Sequence, residues 1–285
     1  MDQDSRNAQG GAAHDLVTPA SAAPRDCSRG AAHVRMDTMR AAPWYVEAFS
    51  EAYLDVYPHR DDRSAAREAR GTLNLLRHEG TRGRLLDLAS GTGRHARAFR
   101  LLRCPVVCLD LSAQLARRSV ALGLPTVRAD MRLLPFAEQS FAAVACMFSS
   151  FGYFEQDEDH QRVLLEISRV LRPGGGVLLD LMDPETVRFR LRPQDVEQTD
   201  GRTVEIERAL SADGRRVEKQ IRMIRDGSAT LAWHESVRLF TLDEIESLAV
   251  RARLRLAGVW GDFDGRPHLP GETRQIVALR KPVSP

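Results

Sequence analysis

Between residues 84 and 182 the chain alternates two hydrophobic rhythms. Short apolar runs, RLLDLA (84–89), PVVCLD (105–110), PTVRAD (125–130), SFAAVACMF (140–148) and GGVLLDLM (175–182), are interleaved with helical patterns over 93–102, 112–122 and 157–171. A strand that is apolar along its whole length is covered on both faces, as in a parallel sheet flanked by helices. The pattern predicts a doubly wound α/β fold.

Downstream the rhythm changes. TVEIERAL (203–210), RRVEKQIRMI (215–224) and TLAWHESVRLF (230–240) are separated by SADG and RDGSA, which are turn signals for an antiparallel meander. A helix over 242–253, a strand over 254–260 and a final strand, TRQIVALRK (273–281), follow. The expected organisation is therefore an α/β domain over 81–200 and 241–285, interrupted by an antiparallel β insertion over 201–240. The insertion shapes an acceptor site or forms a dimer surface.

Upstream, PWYVEAFSEAYLDVY (43–57) sets Trp44 or Tyr45, Phe49, Tyr53 and Tyr57 about one helical turn apart, and a second helix is predicted over 62–79. This aromatic stripe in an N-terminal helical region, 41–80, either packs on the core or covers a ligand as a lid. Residues 1–40 have no apolar period and are expected to be a disordered tail, with Met36 and Met39 as alternative starts to Met1.

Composition narrows the class. Of 285 residues 43% are hydrophobic, enough for a sizeable core, and 41 basic residues nearly balance 39 acidic ones. Lys219 and Lys281 are the only lysines, so the cations are almost all arginine. They alternate with acids along the predicted helices, which reads as a solvated surface rather than a nucleic-acid footprint. Cys27, Cys104, Cys108 and Cys146 have no zinc-site spacing. No apolar stretch approaches the ~20 residues of a membrane span, and the N-terminus lacks a secretory h-region. A soluble cytoplasmic protein is expected, a monomer or homodimer acting on a small molecule, without a nucleic-acid or membrane partner.

The chemistry centres on LLDLASGTGRHARAF (85–99). Gly91-Thr92-Gly93-Arg94-His95-Ala96 fits G-x-G-x-x-G/A, a nucleotide-binding turn. In a dinucleotide site this loop cradles an anionic pyrophosphate, which the carboxylate of Asp87 would repel. S-adenosylmethionine carries a sulfonium and an ammonium, which the same carboxylate attracts. Asp110, at the end of the next strand, can accept hydrogen bonds from two ribose hydroxyls, a feature shared with nicotinamide sites. Asp130 ends the third strand, where its carboxylate can accept from an adenine amino group while Met131 lies against the ring. A nicotinamide oxidoreductase is the alternative, although no Tyr-x-x-x-Lys pair is present; an RNA methyltransferase is a further one, although no motif for an extruded base is seen.

Together with FSSFGYF (148–154), ISRVLRPGGGVLLDLMD (167–183) and GDFDGRPHLPGETRQIVALRK (261–281), these motifs resemble the class I S-adenosylmethionine-dependent methyltransferases, in particular a bacterial small-molecule branch. The resemblance implies a seven-stranded Rossmann-like sheet with its last strand antiparallel, and transfer of a methyl group to nitrogen, oxygen or carbon of a small metabolite. It places Asp87, Ala89, Gly91 and Gly93 at the methionine half of the donor, Asp110 and Leu111 at ribose and adenine, and Asp130 and Met131 at the adenine edge. Met147 and Phe148 would meet the ammonium, and the aromatic stripe with Tyr53 and Tyr57 would close over the donor. Ala89-Ser90 departs from the Gly-Cys common in this branch. On the acceptor side Tyr153 is the first candidate contact, His234 a candidate base, and Asp262, Asp264 and His268 further ones. His160 is expected to be solvated.

Overall fold

A computed structural model describes residues 43–49, 56, 62–77, 83–199, 202–225 and 228–283. Helix α1 (Trp44–Ala48) is followed by α2 (Asp62–Leu75), β1 (Leu85–Leu88), α3 (Arg94–Leu101), β2 (Val106–Asp110), α4 (Ala113–Ala121), β3 (Thr126–Arg128) and β4 (Phe141–Cys146). A short 3₁₀ turn (Ser150–Gly152), α5 (Asp157–Val170) and β5 (Leu171–Met182) complete the first wind. The apolar runs lie at the centre of the sheet because burial on both faces is what such residues stabilise: all of β1 and β4 is buried.

The sheet runs β10-β11-β5-β4-β1-β2-β3, where β10 is Arg255–Trp260 and β11 is Arg274–Arg280. Strands β1 to β5 pair in parallel, while β11 enters antiparallel between β5 and β10. From β1 the chain winds first to β2 and β3, then back across to β4 and β5. A crevice forms at the carboxyl ends where the winding reverses, the place where open α/β sheets bind ligands. One apolar layer packs under α5 and α7 (Leu242–Arg251), the other under α2 and α3.

A second sheet has the order β6-β7-β8-β9. The meander β7 (Arg202–Leu210), β8 (Arg216–Arg225) and β9 (Ser228–Arg238) matches the predicted strands closely. The sheet also contains β6 (Gln194–Thr199), which has only one apolar residue, Val196, and so gives no period-2 signal. Between the sheets α6 (Pro184–Arg190) is started by the Asp183 side chain, which accepts from Thr186 N. Helix α1 is shorter than the predicted 43–57 helix; Tyr53, Tyr57 and the predicted tail lie outside the described residues.

His160 overturns its sequence expectation. On α5 it is fully buried among Phe151, Phe154 and Phe240, and neither ring nitrogen has a hydrogen-bond partner; Asp157 Oδ1 stands 3.8 Å from Nδ1. Charged neighbours in sequence hid an inward position on an amphipathic helix. Burial lowers its pKa to about 4, with Arg216 and Arg238 acting in the same direction against Asp157.

Ala89, just after β1, has φ 57°, a left-handed conformation that glycine adopts without cost. Ala89→Gly is therefore expected to raise stability by about 0.5–1 kcal/mol, the relieved Cβ strain exceeding the added unfolded-state entropy; urea unfolding measures it. For His160 the unfolded ring protonates near 6.5 and the folded ring near 4, so stability is present above pH 6.5 and lost as pH falls between these values. The loss amounts to about 3 kcal/mol. The expected outcome is a shallower acid slope in His160→Phe than in the wild type, read from denaturant midpoints between pH 7 and 4.

Candidate functional site

The crevice holds a cavity of about 310 Å³, within the range of small-molecule sites. The loop after β1 and the end of β2 form one wall. Gly91 N donates to Asp110 Oδ2 at 2.7 Å and Ser112 N to Asp110 Oδ1 at 2.8 Å, so a single carboxylate ties the two turns together. Each oxygen retains accepting capacity for a further donor. Burial pushes the Asp110 pKa up, against the backbone donors Ser112, Gly91 and Leu111.

Asp130 and Met131 line the opposite end. Arg132 binds Asp130 through its backbone N at 2.8 Å and its guanidinium at 2.6 Å, and holds Asp159 at 2.9 Å. Despite partial burial, these contacts keep the Asp130 pKa below its ordinary value. Ala89, Gly91, Leu111, Met147 and Tyr153 also line the cavity, as the sequence suggests.

Two predicted contacts sit elsewhere. Asp87 is buried beneath the loop rather than in the wall, with Oδ2 unpartnered and Ala96 N donating to the carboxylate. Burial, then the charge of Asp110, raises its pKa to about 7. Gly93, at φ 81°, faces away: a Cβ there would lie 2.5 Å from Ser119 Oγ and 2.4 Å from Leu124 Cδ1. It is glycine so that the loop can pack on α4 and the turn before β3.

The remaining wall is aromatic. Tyr45 and Phe49 line the cavity; Phe49 stacks on Tyr153 at 5.3 Å, Tyr45 meets Phe154 edge-on at 5.6 Å, and the Phe49 carbonyl accepts from Ser112 Oγ at 2.7 Å. The described part of the stripe therefore borders the ligand space.

Phe148 and Ser149 both have left-handed backbone, φ 55° and 57°. Two bonds from one residue hold them there: Phe148 N donates to Asp180 Oδ2 at 2.9 Å and Ser149 N to the Asp180 carbonyl at 2.8 Å. Asp180 in turn meets Arg274 at 3.2 Å, and the Arg94 and Arg274 guanidinium groups lie 4.8 and 5.1 Å from the Phe148 ring centroid. Strain held this firmly concentrates at functional positions.

Beyond Phe148 lies a second cavity, about 250 Å³, sharing Phe49, Phe148 and Tyr153 with the first. Its far wall carries Asp180, Lys219, Glu235 and Arg274. Glu235 is buried, accepting from Trp233 Nε1 at 3.2 Å and from Lys219 Nζ at 3.3 Å. Sequence reasoning singled out none of these four for the acceptor side. It favoured His234, whose neighbours on β9, Glu235 and Val237, show the alternation: Glu235 and Val237 border the cavity, while His234 is outside it and 2.6 Å from Glu218. Asp262 pairs with Arg67, Asp264 with Arg266, and His268 with Asp183, all outside both cavities.

The donor cavity fits an adenosine-bearing organic cation. An unpartnered buried carboxylate oxygen under the loop favours positive charge above it, and Asp110 offers paired acceptors at the strand end. Among the described residues no cluster of His, Cys, Asp or Glu could hold a metal ion, and no helix is long and apolar enough to cross a membrane.

Comparison with known proteins agrees. A family model described as a methyltransferase domain matches residues 85–175. The chain is 31% identical over 205 residues to a cypemycin N-terminal methyltransferase from a Streptomyces species, covering 69% of this chain and 82% of the relative. It is 30% identical over 190 residues to a dTDP-3-amino-3,4,6-trideoxy-alpha-D-glucopyranose N,N-dimethyltransferase of Streptomyces venezuelae, covering 64% of this chain and 79% of the relative. An S-adenosylmethionine-bound amino pentose methyltransferase from Micromonospora echinaspora shares the fold, with a TM-score of 0.62, 22% identity, and coverage of 81% of this chain and 97% of that one. These relatives favour a methyl donor over the nicotinamide alternative, and the chain belongs to the class I S-adenosylmethionine-dependent methyltransferases.

Proposed function

We propose that this methyltransferase acts on the nitrogen of a small amine, which reaches the donor through the second cavity. The carrying observation is the common wall of Phe49, Phe148 and Tyr153, backed on the far side by the carboxylates of Asp180 and Glu235. Carboxylates in a partly dry pocket attract an ammonium more strongly than they would in water. Of the two relatives named above, one is by name an N-terminal methyltransferase and the other an N,N-dimethyltransferase, which supports the same reading.

When bound, S-adenosylmethionine supplies a methyl group on a sulfonium: the N–C bond forms as the C–S bond breaks, and its electron pair leaves on sulfur. The residues of this chain orient, desolvate and move one proton. Asp110 takes the ribose hydroxyls, Asp130 and Met131 the adenine, and the Gly91 turn, with Asp87 beneath it, the methionine half. Tyr45 and Phe49 exclude water. Tyr153 aligns the acceptor, and such alignment can contribute roughly 7–11 kcal/mol. An ammonium has to shed a proton before its lone pair can attack, and Glu235 is the carboxylate placed to receive it. Action as a monomer or homodimer in the cytoplasm, without nucleic-acid or membrane partners, belongs to the same proposal; the buried free thiols Cys104, Cys108 and Cys146 suit a reducing compartment.

Asp110→Ala is expected to weaken donor binding by about 10–150-fold through loss of a charged acceptor. Calorimetry with S-adenosylhomocysteine reads this, and a melting curve checks the fold; unchanged affinity in a folded variant removes Asp110 from the donor site. The reaction itself is tested with methyl-tritiated donor against matched amines, phenols and carbon acids, with mass identification of the product. Label on nitrogen is expected. Label confined to oxygen or carbon overturns the amine reading.

A further inference from the structure

Resting on the amine reading, we infer that the acceptor also carries an anionic group, a carboxylate or a phosphate, and that Lys219 together with Arg274 receives it in the second cavity.

The first reason is charge. Asp180 and Arg274 come from the large sheet and Lys219 and Glu235 from the small one, so both signs face the same space from both sides. A simple alkylamine would find carboxylates there but would also meet two cations, and a simple anion would meet two carboxylates. A molecule bearing both signs offers every wall charge a complement, and like-charge juxtaposition selects against the others.

The second reason is the sheet pattern. Val217, Ile221 and Met223 on β8 and Trp233 and Val237 on β9 form an apolar row, and Lys219 and Glu235 interrupt it at paired register positions. Charged residues on such a face cost desolvation, and removing the pair often costs nothing or stabilises. Their position is explained by a ligand that uses them.

The third reason is residue choice. With 41 basic residues, this chain has only two lysines. Lys281 donates to the carbonyls of Ser168 and Leu171 at 2.7 and 2.8 Å, where a compact ammonium fits between two acceptors. Lys219 is the other. A compact cation with three rotatable donors can hold Glu235 and still donate to an anion entering beside it. Arg274 is fixed differently, its guanidinium lying 5.1 and 5.3 Å from the rings of Phe148 and Phe263, with Glu68 at 3.1 Å and Asp180 at 3.2 Å. It supplies a rigid second positive edge, and Lys219 the adaptable one.

The test uses the full chain loaded with S-adenosylhomocysteine for binding, and with tritiated donor for turnover. The probes are amino carboxylates and aminoalkyl phosphates of graded length, each against the amide or alcohol that keeps the amine and removes the anion. The expected wild-type result is tighter binding and lower KM for one anionic series; whether carboxylate or phosphate wins identifies the group. In Lys219→Gln the KM for that series should rise about 10–150-fold, while the KM of the neutral partners rises far less. Lys219→Arg should restore part of the discrimination, and circular dichroism checks that both variants fold. Equal use of anionic and neutral amines by the wild type, or an equal KM rise for both series in Lys219→Gln, overturns the inference while leaving the amine reading intact. Methylation confined to phenols or carbon acids overturns the amine reading itself.

Discussion

A buried glutamate holds this enzyme together. Glu68 on α2 is 1% exposed, and its carboxylate meets His95 at 2.8 Å, Arg274 at 3.1 Å and Arg94 at 3.7 Å. Burial alone would push its pKa up, but the hydrogen bond from His95 and the nearby positive charges outweigh it and keep Glu68 ionised. Burial lowers the His95 pKa, opposed by the hydrogen bond and charge of Glu68, with the two arginines adding to the lowering, and Nε2 lies 2.8 Å from the carboxylate. Removing one partner from such a network leaves a charge uncompensated inside the protein and is far more damaging than never having built it. The network reaches into both cavities: Arg94 and His95 line the donor side, and Arg274 lines the other.

The partition between the cavities depends on it. Phe148 and Ser149 keep a backbone that would relax if Asp180 let go, and Asp180 is oriented by Arg274. Burial raises the Asp180 pKa, opposed by Arg274 and the Phe148 N–H. The anion at Glu68, back in the helical layer, thereby bears on the aromatic ring that lines both cavities. Precision of this kind is what an in-line displacement needs, since the protein adds little covalent chemistry of its own.

The α/β core was legible because its signals are local. Apolar runs, the glycine turn and acids at three strand ends each declare themselves within a dozen residues, and Asp110 and Asp130 sit where that logic places them. Asp87 lies on β1 and Gly93 in the turn after it, as the sequence predicts, but the structure sets one beneath the loop and the other against α4, a distinction of depth that sequence spacing does not carry. The second cavity was less legible for a different reason. Its charges come from β5, β8, β9 and β11, which only tertiary folding brings together. Two signals were nevertheless available: Asp180 stands near the carboxyl end of β5 as Asp110 does on β2, and Lys219 and Glu235 break an apolar alternation. His234 attracted attention as a histidine, yet its parity on the strand puts it on the other face. For His160 the charged sequence around it concealed a position that points into the aromatic core.

The place of β11 in the sheet has a temporal consequence. During synthesis the glycine turn and the acids of β1 to β3 leave the ribosome early, and a nascent α/β core can begin to form around them. Glu68 must wait for Arg274, 206 residues later, and Asp180 waits for the same guanidinium. Because β10 pairs only with β11, neither can join the sheet until β11 docks on the edge of β5. A chain that stops before β11 thus lacks the counter-ion shared by Glu68 and Asp180, and the partition between the two cavities is left without it.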